Sequence, residues 1–267
     1  MSGINIEVES GTSKRLLTAG KVCNDDIVVT AIGGVTDNTD YISLIDGTMT
    51  NFVAPEVENI RENLFYGNTV IQRVDFSKVK SYIGTESFRG CTALSQVINP
   101  EQLNSTSVSP FRARAFTNCT ALETFEYLGR GTIGSATPGI FAGCSNLKIL
   151  NLPQMTMGGA LQLIYNCTNI EEIYVGKITN NFQVGSGTTY GHLIKVGCLV
   201  GLIQNLVITT TTKTLTIGTA NMEKIAGLYC KITDDTTDTL TMELCESTDE
   251  GAIPLEEYWT MKGWSVV

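Results

Sequence analysis

One seven-residue unit recurs along the chain, and its recurrence limits the possible folds more than any other property. It reads Phe-Arg-Gly-Cys-Thr-Ala-Leu from Phe88, Phe-Thr-Asn-Cys-Thr-Ala-Leu from Phe116, Phe-Ala-Gly-Cys-Ser-Asn-Leu from Phe141 and Ile-Tyr-Asn-Cys-Thr-Asn-Ile from Ile164. An eroded copy opens at Phe65, with Asn68 in the Cys place. Successive Cys places from Asn68 to Cys167 lie 23, 28, 25 and 23 residues apart. A unit repeated at such a period marks a stacked-repeat protein, because one unit alone cannot bury its apolar face.

Counting from each Cys place fixes which side chains turn inward. The third residue on is Ile71, Leu94, Leu122, Leu147 or Ile170, and the sixth is Val74, Val97, Phe125, Leu150 or Ile173. The eighth is Phe76, Asn99, Tyr127, Leu152 or Val175. Side chains alternate along a strand, so positions six and eight share one face. Each unit therefore predicts one short strand after a Cys-containing turn, and neighbouring units pair these strands into a parallel sheet. Positions five and seven then point outward on the concave side. They are Arg73 and Asp75, Gln96 and Ile98, Thr124 and Glu126, Ile149 and Asn151, Glu172 and Tyr174. Ile98, Ile149 and Tyr174 among these polar neighbours suit contact with a protein or glycan. The longer units put their extra residues, Asn104 to Pro110 and Gly129 to Gly139, into surface loops.

The remaining recurrent residues, Phe65, Phe88, Cys91, Phe116, Cys119, Phe141, Cys144 and Cys167, read as an inward-facing structural ladder. No two of the eight cysteines lie within four residues, so no zinc knuckle or redox pair is visible. A strand spacing near 4.8 Å overlaps the Cα separation of disulfides. The regularity of the ladder favours buried, reduced thiols that pack as small apolar groups.

These units resemble the BspA-like leucine-rich repeats found in bacterial surface proteins and in virion proteins of phages and prophages. The resemblance rests on Ile83-Gly84 followed by Phe88, and on Leu147, Leu150, Leu152 and Pro153, and it spans roughly residues 46–178. It implies a β-rich α/β solenoid, a leucine-rich-repeat stack with a small N-terminal β module and an α/β C-terminal cap. Three regions are expected: a hairpin-like attachment module at 1–34, the solenoid at 35–178 and the cap at 179–267. In the solenoid, Asp46, Met49, Phe52, Ala54 and Pro55 fit the repeat numbering as a degenerate first strand.

In the N-terminal region, Ile4 to Val8 and Ile27 to Ile32 alternate like strands, and Ser13 to Asp26 reads as a structured turn. This stretch is similar to a short module of phage tail or baseplate proteins, carried by Leu17 to Lys21, Cys23, Asp26-Ile27 and Val29 to Ala31. The resemblance implies attachment to other virion proteins. In the cap, helices are predicted over 200–206, 220–225 and 254–262, with strands at 214–218, 239–244 and 264–267 and Gly263 stopping the last helix.

The formal charge of −9, without a Lys/Arg run, argues against nucleic acid and against an anionic membrane surface. The acidic start lacks the apolar core of a signal peptide. The lone His192 has no ligand-spaced partner, and Asp234-Asp235-Thr-Thr-Asp238 lacks the spacing and closing Glu of a calcium loop. The expectation is therefore a non-enzymatic virion protein without cofactor, tail- or baseplate-associated, displaying its repeats to a host surface protein or glycan. The alternative is a bacterial cell-surface adhesin. A homo-oligomer is expected, as virion proteins assemble symmetrically.

Overall fold

The computed structural model describes residues 5–10, 13–20, 26–31, 50–54, 59–101, 103, 109–135, 139–159, 162–185, 191, 193–236 and 240–267. Its centre is a β-solenoid of about 5 turns. Strands β4 (Asn51–Val53), β6 (Arg73–Asp75) and β8 (Gln96–Ile98) pair in parallel, each in register with the next. Strands β9 (Thr124–Glu126), β11 (Ile149–Leu152) and β13 (Glu172–Val175) do the same. All six strands begin at position five of the numbering, as the alternation demands. A second, discontinuous parallel ladder runs along the solenoid through β5 (Asn59–Ile60) with β7 (Tyr82–Ile83), and through β10 (Gly131–Gly134) with β12 (Met155–Gly158).

The concave sheet is divided where one uninterrupted sheet was expected. Strands β8 and β9 belong to different sheets, and the break falls in the 28-residue unit. There Asn99 replaces the apolar eighth residue, and its Nδ2 donates to the Glu126 carbonyl at 2.6 Å. A side-chain amide thus bridges the two blocks in place of a backbone ladder.

The ladder residues form the spine. Phe65, Phe88, Phe116 and Phe141 stack with ring centroids 5.3, 5.6 and 5.7 Å apart and interplanar angles of 22°, 12° and 4°. Beside them each thiol donates to the carbonyl of the Phe one turn back: Cys91 to Phe65, Cys119 to Phe88 and Cys144 to Phe116 at 3.1 Å, and Cys167 to Phe141 at 3.0 Å. All four cysteines are fully buried free thiols. The thiol fills apolar volume and also satisfies a carbonyl that has no access to water. In the eroded copy, Asn68 cannot pack in that way, and its Oδ1 accepts the N–H groups of Val70 and Ile71 instead.

The residue before each Cys place must adopt left-handed backbone. Gly67, Gly90, Asn118, Gly143 and Asn166 have φ of 71°, 77°, 60°, 74° and 61°. Gly and Asn are the residues for which this conformation costs least. The turn backbone also runs from rung to rung, with Phe88 N–H on the Ala115 carbonyl and Gly90 N–H on the Thr117 carbonyl.

At the N-terminal end, β1 (Asn5–Ser10), β2 (Ser13–Gly20) and β3 (Asp26–Ala31) form an antiparallel set. Ser13 to Gly20, expected to be part of a turn, is the middle strand. Its Lys14-Arg15-Leu16-Leu17 run pairs charges and apolar residues instead of alternating them, which hid the strand. β3 then pairs in parallel with β4, so the module continues the repeat sheet. Phe52 and Ala54 of the degenerate unit are buried as numbered, whereas Asp46, Met49 and Pro55 lie outside the described residues.

After β14 (Phe182–Gln183) the solenoid gives way to helix α1 (Val196–Gln204), strand β15 (Lys213–Thr216) and helix α2 (Thr219–Ile225). They are followed by β16 (Tyr229–Asp235), β17 (Leu240–Cys245), β18 (Ile253–Pro254), helix α3 (Leu255–Met261) and β19 (Trp264–Val266). Helix α1 begins four residues earlier than expected, because Gly197 and Gly201 mask its helical pattern. Strand β16 was not foreseen, since it ends in an exposed Thr-Asp-Asp. Gly263 ends α3 at φ 80°, as expected. Helix α1 lies over the edge of β13, where Lys195 N–H bonds the Glu171 carbonyl and Asn205 Nδ2 bonds the Val175 carbonyl. A sheet edge left bare would invite pairing with other chains. Lys262 closes the cap from inside, its Nζ donating to the Gln204 and Leu206 carbonyls at 2.8 Å each.

Candidate functional site

The concave sheet face carries the ten outward positions. The register places them in two rows that cross the strands. One row passes through Glu126, Asn151 and Tyr174, and the other through Thr124, Ile149 and Glu172. On the first block Arg73 lies beside Gln96 and Asp75 beside Ile98. The break between β8 and β9 separates the blocks, so the face is brought together as four residues and six.

Exposure differs along the rows. Gln96, Thr124, Glu126 and Tyr174 are exposed, while Arg73, Asp75, Ile149, Asn151 and Glu172 are half-buried. Ile98 and Ile149, expected to be exposed apolar contacts, are half-buried. Tyr174, 43% accessible, is the aromatic contact of the face.

Most of these side chains are held by a partner. Arg73 pairs with Asp75 at 3.2 Å, and Asn151 Nδ2 donates to Glu126 Oε2 at 2.7 Å across the strands. The Tyr174 hydroxyl donates to Glu172 Oε2 at 2.8 Å, and Lys195 Nζ bonds the other oxygen of the same carboxylate. Lys195 holds the Glu172 carboxyl below its usual range, and Tyr174 adds to this. The Glu172 carboxylate in turn pushes the Tyr174 hydroxyl well above its usual range. Lys148 bonds Glu123 at 2.9 Å one rung away. The face is thus a fixed array of donors and acceptors around one aromatic ring.

Lys195, Lys148 and Glu123 were not among the expected face residues. Lys148 and Glu123 occupy position four, just outside the strands. Adding a further 23 residues to Cys167 lands on Tyr190 and puts Lys195 at position five, so the numbering did contain that signal. Beside Tyr174, between β13 and α1, a groove of about 310 Å³ is lined by Pro153, Val175, Cys198 and Leu202, with Gly197 and Gly201 on its helical wall. Among the other residues weighed for chemistry, Asp234 and Asp235 lie exposed on β16, while His192 and Asp238 lie outside the described residues.

Residues 58–186 match the family model described as BspA type leucine rich repeat region, in six copies. No curated protein matches. Among solved structures, the chain is similar to a leucine rich repeat protein of T. pallidum, at 19% identity and a TM-score of 0.38, over 72% of this chain and 79% of that one.

Proposed function

We propose that this chain, with a BspA-type leucine-rich repeat region at its centre, is a non-enzymatic recognition protein that binds its partner on the concave sheet face. The observation that carries this reading is a contrast within each repeat. The inward positions recur as Phe, Cys and Leu, whereas the outward pairs differ at every rung and are locked by Asn151–Glu126 and Tyr174–Glu172–Lys195 contacts. Side chains already held in place lose little rotamer entropy when a ligand arrives, which favours affinity and selectivity. The partner proposed is a host surface protein or glycan, with no cofactor involved.

The attachment reading concerns residues 1–34. What supports a phage tail or baseplate role is the likeness of Leu17 to Ala31 to such modules, together with the parallel pairing of β3 on β4. That pairing makes the module a continuation of the stack. A bacterial cell-surface adhesin has the same recognition face and differs in where the chain is anchored. Gold-labelled antibody on purified particles and on whole cells separates the two, and label on cells alone removes the virion reading. Mass measurement in solution tests the homo-oligomer.

Binding to a panel of immobilised glycans and purified surface proteins tests the face itself. Combining Tyr174→Ala with Asn151→Ala is expected to weaken the best ligand by tenfold or more, equivalent to about 1.4 kcal/mol. Gln162→Ala, in the turn on another side of the rung, is expected to leave it unchanged. Loss with Gln162→Ala and none with the concave pair would overturn the assignment.

A further inference from the structure

The turns of the first three rungs carry a charge pattern that the concave reading does not use. Within residues 59–66, 82–92 and 109–118 lie Arg61, Arg89, Arg112 and Arg114 against Glu62 and Glu86, a surplus of two positive charges in a chain of net −9. The equivalent stretches of the next two rungs, 135–143 and 158–166, contain no charged residue. The surplus is therefore confined to one end of one side of the solenoid.

The arginines are arranged in fixed positions. Glu86 Oε1 accepts from Arg89 and from Arg114, both at 2.8 Å, across neighbouring rungs. Arg114, then burial and Arg89, govern the Glu86 carboxyl, which lies below its usual range and so stays ionised. The Arg112 guanidinium sits over the Tyr82 ring at 4.2 Å and Arg89 over Tyr66 at 5.6 Å. A stacked guanidinium such as that of Arg112 presents its edge N–H donors to carboxylate or sulfate oxygens. Glu86 and Arg114 also sit at φ of 53° and 55°, where the corresponding residues of other rungs are Asn63 and Gly139. A long side chain in left-handed backbone costs roughly 1 kcal/mol that Gly would avoid. Within the fold, the return for keeping Arg at that position is the half-exposed ion pair to Glu86.

We infer that this arginine-lined turn face is a second binding surface, for a linear acidic glycan bearing carboxylate or sulfate groups. Rungs about 4.8 Å apart set cationic groups at intervals along the stack axis, as a polyanion presents its charges. An acidic peptide fits less well. The turn backbone between these rungs is already consumed, with Phe65 N–H on Ser87, Gly67 N–H on Arg89 and Phe88 N–H on Ala115 carbonyls. A peptide would find these main-chain groups already paired, while a saccharide needs only the guanidinium edges and the exposed Tyr66 ring.

The test measures binding of the whole chain to an immobilised heparin-derived octasaccharide at low salt. Binding is expected, and it should fall steeply as salt shortens the screening length to about 8 Å or less. Arg114→Gly is expected to fold about as stably, because relief of the φ of 55° offsets the lost half-exposed ion pair to Glu86, while weakening binding several-fold. Adding Arg89→Gln should abolish measurable binding. Lys231→Gln removes the same charge from the C-terminal cap and should have no effect. Three results would overturn the proposal: no binding by the natural chain, equal losses with Lys231→Gln, or a polyglutamate peptide binding as tightly as the octasaccharide.

Discussion

Phe116→Ala is expected to destabilise the chain by about 3–5 kcal/mol, the range for deleting a fully buried aromatic ring. Phe116 is completely buried between Phe88 and Phe141, and it also meets Phe125 at 5.2 Å and Phe111 at 6.2 Å. Truncation therefore opens a void across three rungs at once, and the surrounding rings cannot all close over it. The stability of a stacked-repeat protein is approximately a sum of unit terms and nearest-neighbour interfaces. Removing the central contact is thus expected to lower the urea midpoint and to split one transition into two. Phe116→Ile should cost clearly less, because Ile164 fills the same place in the last repeat turn. A loss below about 1 kcal/mol for Phe116→Ala would mean that the ring stack is not the spine of the fold.

The second large effect is alkaline unfolding. Burial pushes the Cys91 thiol up from 9.0 to about 12, and pushes Cys119 and Cys167 well above the same starting value. An acid whose value is raised on folding stabilises the folded state below its unfolded value. That contribution is lost as pH rises through the interval between the two. Each thiol that ionises only in the unfolded chain removes about 1.4 kcal/mol per pH unit, so these three remove roughly 4 kcal/mol per unit above pH 9. Lys262 acts in the opposite direction. Its burial lowers it from 10.5 to about 8, so the folded state releases that proton first and gains stability between those values. One lysine returns about 1.4 kcal/mol per unit, leaving a net loss on the order of 3 kcal/mol per unit. Urea midpoints measured from pH 8 to 10.5 check this, with a steep fall expected. Cys119→Ser should flatten the slope by nearly half, since Ser does not titrate there. A flat profile would mean that the thiols are exposed or absent as free groups.

The parts of this fold legible in the sequence are those that one rung must share with the next. Phe116 stacks on Phe88 and Phe141, so the same residue type had to recur. The left-handed turn before each Cys restricts that place to Gly or Asn, so it recurred as well. The short strands β5, β7, β10 and β12 face no such requirement. With two to four residues each, they are too short to show an alternation, and their backbone pairing is indifferent to residue type. The division of the sheet was visible only as Asn99 among apolar eighth positions, a single deviation whose meaning depends on the Glu126 carbonyl next to it.

The concave face was legible in position and not in its contacts. Alternation identified Glu126, Asn151 and Tyr174 as outward, but their row follows from strand register, and register is a property of the stacked chain. Ile98 and Ile149 read as exposed because alternation gives the side a residue faces and not its degree of burial, and both are half-buried. Tyr174 keeps its exposure because the next rung is helix α1 with Gly197 and Gly201 on that side, which leaves the groove open beside the ring. On the turn face the arginines were individually visible. Their grouping required knowing that turn residues of consecutive rungs lie side by side.

The most direct test of the account is the reactivity of the ladder cysteines, followed by alkylation and peptide mapping. In the native protein Cys91, Cys119, Cys144 and Cys167 are expected to remain unlabelled while half-buried Cys245 reacts. In denaturant without reductant all four should label as free thiols. A ladder cysteine that labels natively as fast as Cys245, or that labels in denaturant only after reduction, would contradict a spine built from buried thiols bonded to the Phe carbonyls.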